Sequence, residues 1–152
     1  MITFEIYEKY PSIRKSISDI DEILHSIKHQ TQLEDEKFHC IRLCINEIFI
    51  NAIYHGNKFD ASKFVEFHSY IENNILTVSV TDQGDGFDVN DVPDPLVEKN
   101  IIKDSGRGIF IISHYADSVS FQKTKRGFNT AITFYLEKLK NNTHKSMNIS
   151  TT

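Results

Sequence analysis

The chain has 152 residues, 39% hydrophobic and 25% charged, enough for one domain that buries roughly 70% of the surface its unfolded form would expose. A formal net charge of −4 and a pI near 5.9 argue against nucleic acid as the main ligand, because binding a phosphate backbone needs a basic face. No apolar run approaches the roughly 20 residues of a membrane span, and the start MITFEIYEKY has no basic, apolar and small-residue succession of a secretory signal, so no membrane partner and a cytoplasmic location are expected.

Ile2 to Tyr7 alternates apolar and polar residues, as a half-buried strand does. From Pro11 the period changes: Ile13, Ile17, Ile20, Leu24 and Ile27 fall three or four apart and predict a helix from about Ser12 to about His29. Gln30, Thr31 and Gln32 interrupt the pattern, and a second helix is expected from about Glu34 to about His55, with Gly56 placed to end it. Phe64 to Ile71 and Ile75 to Thr81 read as strands, joined by an Asn73–Asn74 pair that tolerates the left-handed backbone of a tight hairpin. Residues 83 to 105 hold two of the three prolines and little periodicity, which marks a long loop of the functional kind. A short apolar helix from Arg107 to about Ala116 then precedes strands at Ser118 to Lys123 and Thr130 to Leu136, turned around Gly127. The expected organisation is one domain over residues 1–140 and a polar, disordered tail over 141–152.

Cys40 and Cys44 lie four apart in the second helix and read as buried thiols, since a zinc site needs more ligands than they supply. His25 and His29 are also four apart, but without a carboxylate or cysteine pattern beside them they read as a solvated helix face.

Five of the six glycines fall in three short motifs, of which the first is Asn46 to Gly56, NEIFINAIYHG. Here Glu47 and Asn51 stack on one helix face about 5 to 6 Å apart, where one could act as a base and the other as an oxygen ligand for Mg²⁺; the alternative is a solvent stripe on an amphipathic helix. The second motif, Asp82 to Asp88, follows a strand whose Leu76, Val78 and Val80 share a face, and Asp82 is next on it. A carboxylate ending a core-facing stripe needs a hydrogen-bond donor, and the exocyclic amine of adenine is suitable; otherwise the segment is a plain acidic turn. The third, Ser105 to Ile112, sets Gly106 and Gly108 before an apolar helix, where backbone N–H groups can approach a phosphate, or where a loop simply leads into a core helix.

In this order the three motifs resemble the N-box and the two glycine boxes of the GHKL (histidine-kinase-like) ATPases, and the stretch FDVNDVPDP is similar to their short regulatory branch, the bacterial anti-sigma-factor serine/threonine kinases. The resemblance runs from the first strand to about Leu139. It implies a Bergerat-type ATP-binding fold: an α/β, or α+β, two-layer sandwich with a mixed, largely antiparallel sheet and three helices on one face. It implies ATP and Mg²⁺, with Glu47 as general base, Asn51 as the metal ligand and Asp82 as the adenine-binding carboxylate. Gly84, Gly86, Gly106 and Gly108 would shape a nucleotide lid, Thr130 would add a hydrogen bond on the adenine side, and His55 would lie near the phosphates or cap its helix. One departure is Asp104, where some anti-sigma kinases carry an arginine; Arg107 or Lys103 are the cations available to replace it.

The implied function is phosphorylation of an anti-anti-sigma protein of the STAS type, with a sigma factor as the other partner. The rival expectation, favoured by Asp104, is a nucleotide-gated binding module with little or no phosphotransfer. A sensor histidine kinase fragment is a weaker third reading, because no helix with a phospho-accepting histidine precedes the motifs. Members of the family often dimerise through this domain, although no apolar stripe in the sequence marks a homodimer interface.

Overall fold

The computed structural model describes residues 1–86, 104–136 and 149–151. In chain order the elements are β1 (Ile2–Pro11), α1 (Arg14–Asp19), α2 (Asp21–Thr31), α3 (Asp35–Asn51) continued by a π turn (Ala52–Gly56), β2 (Phe64–Glu72), β3 (Ile75–Asp82), α4 (Asp104–Tyr115), β4 (Ser118–Lys123), β5 (Phe128–Tyr135) and β6 (Ile149–Thr151). The sheet order is β1-β2-β3-β5-β4-β6, antiparallel throughout except for the parallel pair β4/β6.

Period-two alternation gives this sheet two unlike faces. Val65, Phe67 and Ile71 of β2, Leu76, Val78 and Val80 of β3, and Ile132 and Phe134 of β5 are buried in one cluster with Ile20, Leu24 and Ile27 beside α1 and on α2, and Ile41, Ile45, Ile48 and Phe49 of α3. The helices therefore cover that face, and their apolar stripes supply the other half of the core. The opposite face is polar: the Asn129 carboxamide donates to the hydroxyls of Ser79 at 3.2 Å and Thr81 at 2.8 Å. This is the α+β sandwich expected from the motifs, with its mixed and largely antiparallel sheet.

Several boundaries differ from the sequence reading. The first helix is divided at Ile20, whose N–H still bonds the Ser16 carbonyl at 3.2 Å, so α1 and α2 keep one apolar face across the break. β1 extends through Pro11 because it pairs with β2 over its whole length, a long-range pairing that local alternation does not report. Asn73 and Asn74 both take positive φ, 51° and 60°, as the tight hairpin requires. α4 begins at Asp104, before the expected start at Arg107, so Gly106 as well as Gly108 lies inside the helix. β5 begins at Phe128, two residues before the expected Thr130. Cys44 is buried, whereas Cys40 is only half-buried.

Most of the long loop, residues 87–103, lies outside the described residues, and so do 137–148 and 152 of the polar end. Within that end, Ile149–Thr151 forms β6 against the outer side of β4. No helix among the described residues is long and apolar enough to cross a membrane.

Candidate functional site

The site is built along the C-terminal half of α3. Glu47 and Asn51 are one turn apart on this helix and both half-buried, as their four-residue spacing demands. What faces them is α4, at Gly108: a Cβ added there would stand 2.8 Å from Glu47 Oε2 and 3.1 Å from Asn51 Nδ2. The absence of a side chain at 108 is therefore what lets the two helices meet with these polar groups between them. The Asn51 carboxamide has no hydrogen-bond partner among the described residues, so its oxygen remains available as a ligand.

Beyond Asn51 the helix loosens into the π turn, in which the Asn57 N–H bonds the Ala52 carbonyl at 2.8 Å. Such turns are rare and often mark functional sites. The chain then reverses through Lys58 and Phe59, both at positive φ, with the Phe59 N–H returning to the Ile53 carbonyl at 2.9 Å. His55 is exposed in the last turn, where a basic side chain suits a helix C-terminus.

This reversal sets Gly56 against Asp82. A Cβ on Gly56 would overlap the Asp82 carboxylate, and one on Gly84 would overlap the Gly56 carbonyl, so two motifs distant in sequence are in direct backbone contact. Asp82 ends β3 on the core-facing side, opposite Phe128 of β5, and is 7% exposed. Its Oδ1 accepts from the Gly84 N–H at 2.8 Å, while Oδ2 has no donor among the described residues. Thr130 shares this face of the sheet, opposite Val80 on one side and Phe121 on the other, two residues from the position that pairs with Asp82. Gly86 holds a positive φ of 73° and packs against the Phe128 ring.

The expected residues Glu47, Asn51 and Gly108 thus meet at one level of α3, and Asp82 and Gly84 meet Gly56 one to two turns further along it, with Gly86 and Thr130 on the adjoining sheet. Gly106 lies in the first turn of α4; the Arg107 side chain and all of Lys103 lie outside what the structure describes. Among the described residues no group of three or more His, Cys, Asp or Glu could hold a metal, and His25 and His29 are exposed. Two residues of the site carried no signal in the sequence. Gly127, read as an ordinary hairpin turn, is buried where a Cβ would overlap the Asp82 carbonyl, and Asn57, which follows the helix-ending Gly56, is 1% exposed and bonded to the residue after Asp82.

Burial pushes the Asp82 carboxyl up to about 6, against the Gly84 hydrogen bond and the Lys63 charge, both of which pull it down. The folded protein holds this proton until about pH 6, whereas the unfolded chain releases it near its ordinary value of 3.8. Folding therefore takes up a proton in that window. The favourable contribution is complete below the unfolded value and is lost as the pH rises through the folded one. Thermal melts are expected to show the parent losing stability relative to Asp82→Asn between about pH 4 and pH 6, and parallel curves across this range would mean that Asp82 is ionised throughout.

The chain is similar to anti-sigma F factors of two bacterial genera. It is 33% identical over 93 residues to the anti-sigma F factor of Lysinibacillus sphaericus, covering 59% of this chain and 62% of that one. It is 30% identical over 100 residues to the anti-sigma F factors of Geobacillus stearothermophilus and of Geobacillus kaustophilus (strain HTA426), covering 64% of this chain and 66% of each relative. The matched part is just under two thirds of each of these relatives. A family model, the histidine kinase-like ATPase domain, matches residues 11–134, which takes in every described residue of the site. With the α+β sandwich and the three motifs gathered along α3, this match over most of the chain makes it a member of the histidine kinase-like ATPase domain family.

Proposed function

We propose that the chain is an ATP-dependent serine/threonine protein kinase that acts as an anti-sigma regulatory factor, with an anti-anti-sigma protein as its substrate and a sigma factor as its other partner. The observation that carries the reading is the convergence on one helix of a carboxylate and an amide at Gly108 and of a second, buried carboxylate at Gly56. A solvent stripe would have no reason to face a glycine on a packed helix. The similarity to the anti-sigma F factors supports the choice of partner class.

The residues fit MgATP. Asp82 offers Oδ2 to a donor such as the exocyclic amine of adenine, with Thr130 on the adjoining strand for a second hydrogen bond on the base side. Asn51 offers a carboxamide oxygen to Mg²⁺, a hard cation that takes oxygen ligands. When bound, MgATP supplies the γ-phosphoryl group and a metal that offsets the charge on the phosphates. Glu47 takes the proton from the substrate serine or threonine hydroxyl, a role suited to a half-buried carboxylate beside the Mg²⁺ ligand. Gly84, Gly86, Gly106 and Gly108 keep the walls low, and Arg107 is the cation of the third motif for phosphate charge.

Asp104, in place of an arginine, favours the second reading, a nucleotide-gated binding module. One experiment separates the two. The protein is purified from its host with its bound partner and given ATP labelled at the γ-phosphoryl group. Label on a partner serine or threonine is the expected result, and a complex that dissociates or tightens with ATP yet stays unlabelled would replace the kinase by the binding module.

A further inference from the structure

Asn57 is a buried polar residue that the proposed chemistry does not use. Its carboxamide is 1% exposed and spans three segments of the chain. Nδ2 donates to Ser12 Oγ at 2.7 Å, just past β1, and to the Phe64 carbonyl at 2.9 Å, at the start of β2. Oδ1 accepts from the Gln83 N–H at 2.7 Å. Both amide hydrogens are thus spent on fixed backbone or buried hydroxyl, and the oxygen is aimed by them at the residue that follows Asp82.

A second clasp closes the same segment from its exposed side, where Gln83 Oε1 accepts from the Phe64 N–H at 2.6 Å. Between these bonds residue 83 has little freedom, and Asp82 and Gly84 on either side of it carry the carboxylate and its N–H donor. The π turn and the two left-handed residues after it bring Asn57 into this position.

We propose that Asn57 is a positioning residue that sets base specificity, holding residues 82–84 so that the Asp82 carboxylate meets the amine of adenine and not the N–H edge of guanine. The chemistry requires such a device. A carboxylate can accept from the single exocyclic amine of adenine and also, through two parallel bonds, from the adjacent N1–H and 2-amino group of guanine. Its chemical type does not choose between the two bases, but its place relative to the walls of the site does, and an ångström of freedom at Asp82 lets it follow either edge. A surface loop after β3 would have that freedom; the buried amide removes it.

The proposal rests on the nucleotide reading of the site. Its test is titration calorimetry of the full chain with MgADP and MgGDP for the parent, Asn57→Ala and Ser12→Ala, alongside thermal melts. The parent should prefer ADP, and Asn57→Ala should reduce the ratio of the two affinities by roughly tenfold or more. Ser12→Ala removes one buried partner of the same amide but leaves the bond to Gln83, so it should lower the melting temperature and keep the preference. Where Asn57→Ala is too unstable to titrate, the isosteric Asn57→Asp loses both donors that aim the oxygen at the Gln83 N–H and should likewise reduce the preference. An Asn57→Ala or Asn57→Asp protein that melts earlier with its preference intact makes Asn57 a structural residue and overturns the proposal. A parent that binds neither nucleotide fails differently: it removes the nucleotide reading itself, and the proposal with it.

Discussion

Replacing Glu47 with alanine is expected to lower phosphoryl transfer by roughly two to four powers of ten while leaving ADP affinity within about twofold of the parent. A carboxylate that takes the substrate proton acts in the transition state, so its removal leaves ground-state binding of the nucleotide nearly intact. The fold should survive, because Glu47 is half-buried, faces the bare backbone of Gly108, and is replaced by a residue that favours α3. Asn51→Ala provides the contrast from the same helix face. Loss of the carboxamide oxygen should weaken MgATP binding as well as transfer, and affect metal-free ADP much less. Single-turnover transfer to the purified partner, with calorimetry for the nucleotides, separates the two. A Glu47→Ala protein that phosphorylates its partner at the parental rate would sink the mechanism and leave the binding module as the better account.

Asp82→Asn is expected to weaken ADP binding by at least about 100-fold, without loss of the folded state. The substitution is isosteric, but the surroundings of the carboxylate decide which way the new amide turns. Oδ1 already accepts from the Gly84 N–H, so the amide oxygen takes that place and the NH₂ group occupies the position of Oδ2. Two donors, the new amide and the adenine amine, then face each other at a site from which water is largely excluded. Above about pH 6 the same change removes a buried charge, so stability and binding should move in opposite directions. A loss of binding that came with a loss of stability would point to a disrupted site rather than a missing acceptor. Equal affinity in the two proteins would remove Asp82 from the site altogether.

Much of the architecture was legible from short-range pattern. Alternation along Leu76, Val78, Val80 and Asp82 set the carboxylate on the core face of β3, and the four-residue spacing of Glu47 and Asn51 set both on one side of α3, because side-chain direction follows from backbone periodicity over a turn or a strand. The Asn73–Asn74 hairpin was equally local, since asparagine accepts positive φ wherever it lies. Those patterns carry no information on which residues meet across the fold. That Gly108 has no room for a side chain follows from the packing of α4 on α3, and that Gly127 stands against the Asp82 carbonyl follows from the pairing of β3 with β5 and of β5 with β4. The full length of β1 came from its partner strand, and the start of α4 at Asp104 crossed glycines that local propensity counts against a helix. Asn57 is the clearest case. In sequence it is a polar residue after a helix-ending glycine, like many in turns, and only a helix end that unwinds through a π turn buries its amide between Ser12, Phe64 and Gln83. Hydrogen bonds between segments far apart in the chain leave no period to read, so the residues that hold a site in place become visible when the chain has folded around them.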